Sequence, residues 1–342
     1  MRPRTRVFAP GGSATEERID PTMSPVAPRR MNRLVLQVVF LVSLTAVVII
    51  TIEAATCENG GAPTKAARAA STALLLSGEH DLRFKGVTFD GAGSGYGDTS
   101  GVIEITGSSH NITFEDCTIM PNGDGVGNGV KIINVNGGIH DITFTGCHFM
   151  TQPRMGFECI DRSSTGGRGY RRVRLVNCTF EPQSSEAISF DDNSGTSGDC
   201  SIQNNVVEGA GAAILSTWGS GLEVNRVHNM RVIGNTFYAC RDSVWNLTGP
   251  SGDCGWTFSH NTIDCTRVFG GIQMASTANC VSAVNVYGGV FPKNTITDAP
   301  PSWNVAYLSG CHKMDWRTTK WLDARGEAYS TPYQIDCSQN RF

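Results

Sequence analysis

Two stretches of the chain, Asn111-Ile-Thr-Phe-Glu-Asp-Cys-Thr-Ile119 and Asp141-Ile-Thr-Phe-Thr-Gly-Cys-His-Phe149, share their apolar, turn and cysteine positions one for one. The same pattern recurs about every 30 residues in eight segments, which begin at Leu82, Ile112, Ile142, Val173, Cys200, Met230, Trp256 and Val284. Self-similarity at a fixed period predicts stacked repeats, in which each unit buries its apolar face only against its neighbours.

Each repeat contains the signals of short strands joined by a sharp bend. Apolar and polar residues alternate with period two, as in Ile112-Thr113-Phe114, which predicts a strand with one buried face. Four residues after each start comes a turn column of residue types that tolerate a left-handed backbone, namely Gly86, Asp116, Gly146, Asn177, Asn204, Gly234, His260 and Gly288. A second strand follows the bend. Candidates for a third strand lie between the repeats, at 101–105, 129–133, 156–160, 187–191, 213–216, 243–247 and 271–274.

The column after the bend changes from cysteine to asparagine along the chain. It reads Val87, Cys117, Cys147, Cys178, Asn205, Asn235, Asn261 and Gly289. Asparagines stacked about 4.8 Å apart can hydrogen-bond from amide to amide. The three cysteines fit either a buried thiol stack or disulfides, and parallel inward side chains favour the thiols.

This repeat resembles the right-handed parallel β-helix of the pectin-lyase-like superfamily, over roughly residues 79–298. The resemblance implies an all-β, single-stranded right-handed parallel β-helix of about eight coils. It also implies that the outer face of the first strand of each coil carries a carbohydrate cleft. The superfamily hosts lyases, hydrolases, epimerases, esterases and non-catalytic adhesins, so the fold alone does not define a reaction.

An uncharged apolar run precedes the repeats. Residues 34–52 are long enough to cross a membrane as a helix, and residues 1–33 contain seven Arg against three acidic residues. We therefore expect a cytoplasmic basic tail (1–33), a transmembrane signal-anchor (34–52) and an outward-facing β-helix; a cleaved signal peptide with a secreted product is the alternative. The remaining segments are a linker and N-terminal capping helix (53–78), the β-helix (79–298) and a C-terminal cap or tail (299–342).

Composition narrows the function classes. The chain has 342 residues with a net charge of −3, and no basic patch strong enough for nucleic acid stands out, so we expect no nucleic-acid partner. All 12 cysteines follow the apolar run, which permits disulfides on the outer side of a membrane. The better disulfide candidates are Cys240, Cys254, Cys265, Cys280, Cys311 and Cys337.

Charged residues concentrate on the expected cleft strand. Its aligned outward column reads Lys131, Glu158, Ser189, Leu215, Trp245 and Gln273. The candidate catalytic residues are Lys131, Glu158, Asp161, Arg162, Asp191 and Asp192. The candidate substrate-binding residues are Trp218, Glu223, Arg226, His228 and Trp245, with the tryptophans stacking on sugar rings.

Two reactions on a polysaccharide fit these groups. In hydrolysis, one carboxylic acid protonates the glycosidic oxygen while a carboxylate activates water or attacks the sugar. In β-elimination, Lys131 or Arg162 removes the proton next to a uronate carboxylate, with calcium on Asp161, Asp191 and Asp192. No cofactor is required, and calcium is an option. The alternatives are a solvated charged face with no chemistry, and a non-catalytic surface module that acts as a glycan binder, adhesin or stalk.

Overall fold

The computed structural model describes residues 74–91, 101–123, 127–135, 137–163, 167–211, 219–267, 269, 279–297, 304–328 and 333–342. Within these ranges the chain contains strands and turns but no α-helix, and it forms a parallel β-solenoid of about seven turns. The predicted parallel β-helix is therefore confirmed as a fold, while the count of eight coils stays a prediction.

Three parallel sheets form the walls, and the strands are numbered in chain order. Sheet A consists of β1 (Leu74–Ser77), β4 (Gly101–Thr106), β7 (Asn128–Asn134), β10 (Phe157–Asp161), β13 (Ile188–Asp192), β16 (Leu222–Asn225), β19 (Trp245–Thr248), β22 (Asn279–Val284), β24 (Asn304–Ser309) and β26 (Tyr333–Ile335). Sheet B consists of β2 (His80–Lys85), β5 (His110–Glu115), β8 (His140–Thr145), β11 (Arg171–Val176), β14 (Ser201–Gln203), β17 (Arg231–Ile233) and β20 (Thr257–Ser259). Sheet C consists of β3 (Thr88–Gly91), β6 (Thr118–Asn122), β9 (His148–Phe149), β12 (Thr179–Phe180), β15 (Val206–Val207), β18 (Thr236–Tyr238), β21 (Thr262–Asp264), β23 (Thr295–Thr297) and β25 (Lys320–Leu322).

Like residues stack on like residues inside the solenoid. Phe144 pairs in register with Phe114 on one side and with Leu175 on the other, and the two phenyl rings are stacked with centroids 4.4 Å apart. In sheet C, Phe149 and Phe180 stack at 4.2 Å. Burial of each such side chain contributes about 2–3 kcal/mol, and together these columns hold the coils in register.

The predicted asparagine ladder is present and extends one coil farther than expected. The Nδ2 group of Asn235 donates to Oδ1 of Asn261 at 2.9 Å, and Nδ2 of Asn261 donates to Oδ1 of Asn294 at 3.0 Å. The sequence predicts Gly289 in this column; this is wrong, because Asn294 occupies it. A longer bend in this coil shifts the register, so that Phe291 stacks below Phe258 and Ile296 takes the position below Ile263.

Both ends of the solenoid differ from the sequence-based prediction. Leu74–Ser77, expected at the end of a capping helix, forms strand β1 because it pairs with the edge of β4; the rest of 53–78 up to residue 73 lies outside the described residues. At the other end, the region expected to be a cap continues the coils through β24, β25 and β26. Trp316 is fully buried and stacks on Phe291 at 4.0 Å, so it belongs to the core.

Two predicted strands of sheet A, 213–216 and 271–274, lie outside the described residues. The strands that occupy sheet A in those coils are β16 and β22. The predicted transmembrane segment 34–52 and the basic tail 1–33 also lie outside the described part, in which no helix is long and apolar enough to span a membrane.

The described cysteines are thiols, not disulfides. Cys117, Cys147 and Cys178 occupy one buried column, as the thiol-stack prediction requires. The Sγ atoms of Cys265 and Cys280 approach each other to 2.8 Å.

Candidate functional site

The outer face of sheet A carries one continuous column of mostly polar side chains, one from each coil. Strand register aligns it as Glu104, Lys131, Glu158, Ser189, Glu223, Asn246 and Ser282. Successive members are about 4.8 Å apart because parallel strands have that spacing. Lys131, Glu158 and Ser189 are buried although they lie on the outer face, so the candidate site is a sheltered surface of the sheet.

Lys131 and Glu158 form a buried ion pair on adjacent coils. The Lys131 Nζ atom lies 3.0 Å from Glu158 Oε2, and the two side chains are 1% and 8% exposed. The amide of Asn128 donates a second hydrogen bond to the same carboxylate oxygen at 2.8 Å. The ammonium group of Lys131 is thus held against a carboxylate, which makes it a poor base for the elimination reaction.

Glu223 is a strongly perturbed carboxylate on this face. Burial raises the pKa of Glu223 to about 7, and the negative charges of Glu186 and Asp191 add to the effect. The Ser189 hydroxyl, one coil away, donates a long hydrogen bond of 3.5 Å to Glu223 Oε2. A carboxyl group with a pKa near 7 still holds its proton in about half of the molecules at neutral pH, and this protonated fraction can act as a general acid.

Asp191 lies on the neighbouring strand, on the same face. Burial raises the pKa of Asp191, although the nearby Arg226 guanidinium opposes the shift. The Arg226 Nη2 atom is 3.9 Å from Asp191 Oδ1 and donates a 2.6 Å hydrogen bond to Asn193. Oδ1 of Asp191 is buried and accepts no hydrogen bond within the described residues. Asp191 is therefore a carboxylate with an unused acceptor beside a group able to donate a proton.

Asp161 and Asp192 have a different role. They pair in register at the ends of β10 and β13, and both are fully buried. Asp192 accepts hydrogen bonds from the backbone of Ser194 at 2.8 Å and of Ser197 at 2.8 Å. Burial alone would raise the pKa of Asp161, but hydrogen bonds from Ser163 and other donors outweigh burial and lower it. These two carboxylates therefore organise the turn between sheets A and B.

The predicted three-carboxylate calcium site does not form. Asp191 and Asp192 are consecutive in a strand, and consecutive side chains point to opposite faces of a sheet. Asp191 faces outward, whereas Asp161 and Asp192 face the turn, so the three groups do not converge. Among the described residues, no group of three or more His, Cys, Asp or Glu side chains could hold a metal ion.

The remaining candidates are scattered. Trp245 is fully buried in the column of Leu222 and packs edge-on against Phe258 at 5.1 Å, so the prediction that it faces a sugar is wrong. The outward position in that strand is Asn246. Arg162 is exposed just after β10, and its backbone N–H donates to the Asn134 carbonyl at 2.7 Å. His228 begins the sheet B side of its coil through a bridge to Gly198, and Trp218 lies outside the described residues.

Sequence reasoning missed three groups near the site. Asn128 holds Glu158, and Glu186 acts on Glu223 through its charge. Burial raises the pKa of Asp242, whose charge also acts on Glu223. The alternation in Leu222-Glu-Val224 was the available signal for Glu223 on this face; Glu186 and Asp242 precede their strands and carry no periodic signal.

Comparisons with known proteins give no sequence match and only distant structural likenesses. No protein-family model matches the chain, and no curated protein is similar to it in sequence. Among solved structures, it is similar to the family 28 exopolygalacturonase of Yersinia enterocolitica, with 12% identity over 70% of this chain and 44% of that chain and a TM-score of 0.40. It is also similar to the A-module of the mannuronan C-5 epimerase AlgE4 of Azotobacter vinelandii, with 13% identity over 80% of this chain and 79% of that one and a TM-score of 0.34. Tailspike protein 3 of bacteriophage CBA120 matches with 11% identity over 80% of this chain and 49% of that chain, at a TM-score of 0.33.

The chain therefore spans less than half the length of the exopolygalacturonase and of the tailspike. Its class is that of the parallel β-helix proteins, as its own strand order and register establish. Any reaction has to be argued from the residues on sheet A.

Proposed function

We propose that this protein acts on a polysaccharide as a glycoside hydrolase, with the outer face of sheet A as its active site. The observation that supports this most is the pairing of Glu223, whose pKa is raised to about 7, with Asp191 on the same face of the next strand. Glycoside hydrolysis requires such a division between a protonated carboxyl group and an ionised one.

Glu223 is the general acid in this proposal. It donates its proton to the glycosidic oxygen as the bond to the leaving sugar breaks. Asp191 is the base: it takes a proton from the water molecule whose oxygen forms the new bond to the anomeric carbon. The Arg226 guanidinium, 3.9 Å from Asp191 Oδ1, favours the charged form of Asp191. Ser189 orients the Glu223 carboxyl group through its hydroxyl.

Strand geometry favours an inverting reaction. Glu223 is in register with Ser189, two residues before Asp191. One strand spacing combined with two residue rises gives about 8 Å between the Cα atoms. Side chains that leave the sheet in parallel keep a separation in the range of roughly 6.5–9.5 Å typical of inverting enzymes, which leaves room for a water molecule.

The lyase version of the proposal has less support. It requires Lys131 or Arg162 as the base, and Lys131 is buried against Glu158. A non-catalytic glycan binder, adhesin or stalk remains the second candidate, and one observation favours it. Lys131 and Glu158 neutralise each other, and Asp161 and Asp192 hold a turn, so four of the six candidate catalytic residues already have structural partners.

For location, we propose that 34–52 anchors the protein in a membrane with the β-helix outside, the secreted form being the alternative. The apolar run and the basic residues before it support this orientation. Protease added to intact cells should remove the β-helix and leave a membrane-bound fragment. Release of the whole β-helix into the medium would indicate secretion instead.

A panel of neutral and uronate-containing polymers tests the reaction. New reducing ends without absorbance from unsaturated products are the result that the hydrolase proposal expects. New ends with that absorbance would establish a lyase. Binding without new ends on any polymer would favour the non-catalytic module.

A further inference from the structure

A second groove lies away from sheet A, where the turns after sheet A enter sheet B. It has a volume of about 560 Å³, and its polar lining includes His110, His140, Arg168, Arg171, Arg172 and Thr196. Among the residues that the structure describes, no carboxylate is part of its lining. It is separate from Glu223 and Asp191, which lie on the outer face of sheet A.

The groove follows a column of cations and imidazoles along the solenoid axis. Strand register places His80, His110, His140 and Arg171 in successive coils. The rings of His110 and His140 lie with centroids 4.8 Å apart, and those of His80 and His110 are stacked at 5.0 Å. The Nδ1 atoms of His80 and His140 already contact Asp81 at 2.9 Å and Asp141 at 2.8 Å. The imidazoles therefore add nitrogen groups at the spacing of the coils, but unpaired positive charge in the groove has to come from its arginines.

Two of the three arginines are already neutralised. Arg172 forms a two-point contact with Asp141, through Nε at 2.7 Å and Nη2 at 2.8 Å. The Arg171 Nη1 atom lies 3.1 Å from Asp199 Oδ2. No described carboxylate lies within ion-pair distance of Arg168. The positive charge of Arg168 is therefore not neutralised by these residues.

The backbone around Arg168 is fixed, while its side chain is exposed. Its carbonyl accepts a 2.7 Å hydrogen bond from the Asn134 side chain. On either side, the Thr196 hydroxyl donates to the Gly167 carbonyl at 2.8 Å and accepts from the Gly169 N–H at 2.7 Å. A guanidinium on a fixed backbone, free of carboxylate partners, is prepared to receive an oxyanion in a fork-like contact.

Gly138 provides the space in which this side chain lies. Its φ is +66°, and a Cβ atom placed on it would stand 3.4 Å from Arg168 Cβ and 3.7 Å from Arg168 Cδ. The aliphatic part of Arg168 thus passes directly over the glycine.

We propose that this groove binds the anionic groups of an acidic polysaccharide, carboxylate or sulfate, with Arg168 as the principal contact. The inference rests on the proposed function for the class of ligand, but it concerns a different surface. It predicts that the protein holds a charged polymer at a point away from the reacting bond.

The test uses the full chain in detergent solution and three polymers with the same backbone: carboxymethyl dextran, dextran sulfate and uncharged dextran. Binding to one or both charged polymers and not to dextran is expected, and the stronger of the two identifies the anion. Arg168→Gln should weaken that binding about tenfold, the effect of removing one charge-assisted contact. Arg231→Gln, an exposed arginine of sheet B outside the groove, is the matched control and should bind as the wild type does.

The outcomes separate this proposal from the hydrolase proposal. If binding depends on Arg168 but the protein cleaves no polymer, the anion-binding proposal for the groove is supported and the hydrolase proposal is contradicted. Three results would contradict the proposal that the groove binds an acidic polysaccharide: unchanged binding by Arg168→Gln, equal losses of binding in both arginine variants, or tighter binding to a nucleic acid of similar length. Glu223→Gln should retain charged-polymer binding, and its loss would also contradict a separate site. Thermal unfolding of the variants verifies that each is folded.

Discussion

Lys131 and Glu158 form an almost fully buried ion pair on the outer face of sheet A, with Nζ and Oε2 3.0 Å apart on adjacent coils. Removing one partner of such a pair leaves a buried charge without compensation. We therefore expect Lys131→Met to lower the free energy of unfolding by about 3–5 kcal/mol. Chemical denaturation of the variant and the wild type measures this.

The double variant Lys131→Met/Glu158→Gln is the control for that prediction. It removes both charges, so its stability should be much closer to the wild type than the sum of the two single effects. Additive losses would mean that the two groups do not act as a pair.

Glu223 gives a pH dependence of stability. Its ordinary pKa of 4.5 rises to about 7 in the folded protein. The native state therefore holds the proton more tightly than the unfolded state, and the stability that this provides is present below pH 4.5 and is lost as the pH rises through 7. Glu223→Gln cannot ionise, so it should be more stable than the wild type at pH 8, by at most about 3 kcal/mol, and nearly equal at pH 4.

Thermal unfolding at the two pH values tests this difference. Glu327→Gln, which alters an exposed glutamate near the end of the chain, is the control and should change the stability equally at the two pH values. A Glu223→Gln variant that is equally stabilised at pH 4 and pH 8 would contradict the raised pKa.

The asparagine ladder should be costly to interrupt. Asn235 accepts hydrogen bonds from the backbone N–H and the side-chain amide of Asn205, and it donates to the Ile202 carbonyl and to Asn261. Asn235→Ala leaves several buried groups unpaired and should lower the free energy of unfolding by about 2–4 kcal/mol. Thr262→Ala, at an exposed position, should cost under 1 kcal/mol by the same measurement. Equal losses would mean that the ladder is not a stabilising feature.

Cys265 and Cys280 are the pair that should form a disulfide first. Their sulfur atoms are 2.8 Å apart, and small side-chain rotations would bring them to bonding distance. With oxidised glutathione as the oxidant, peptide mapping should find a Cys265–Cys280 link. Cys117 and Cys147, buried in the thiol column, serve as the internal comparison and should remain reduced. A predominant Cys117–Cys147 link would contradict this account.

The repeat was predictable because every coil has the same alternation of buried and exposed side chains in its strands. Phe114, Phe144 and Leu175 each occupy the same step of an alternating strand, and the bend is fixed by residues such as Asn177, whose φ of 53° few residue types accept. These are local signals that the coils repeat.

The site was less predictable because sheet A lacks such fixed markers. Val244, Trp245 and Leu247 are all buried, so alternation did not reveal which of the first two faces inward. A one-residue shift places every side chain on the opposite face, and this is why the sequence predicts Trp245, and not Asn246, in the cleft. The raised pKa of Glu223 depends on burial and on charges from other coils, which no local pattern encodes.

Turnover by Glu223→Gln tests the central claim most directly. On any polymer that the wild type cleaves, the proposal predicts a loss of at least about a hundredfold in kcat, the contribution of one positioned general acid, while Glu327→Gln retains wild-type activity. Full activity in Glu223→Gln, with its fold intact, would contradict the assignment of the active site to the outer face of sheet A.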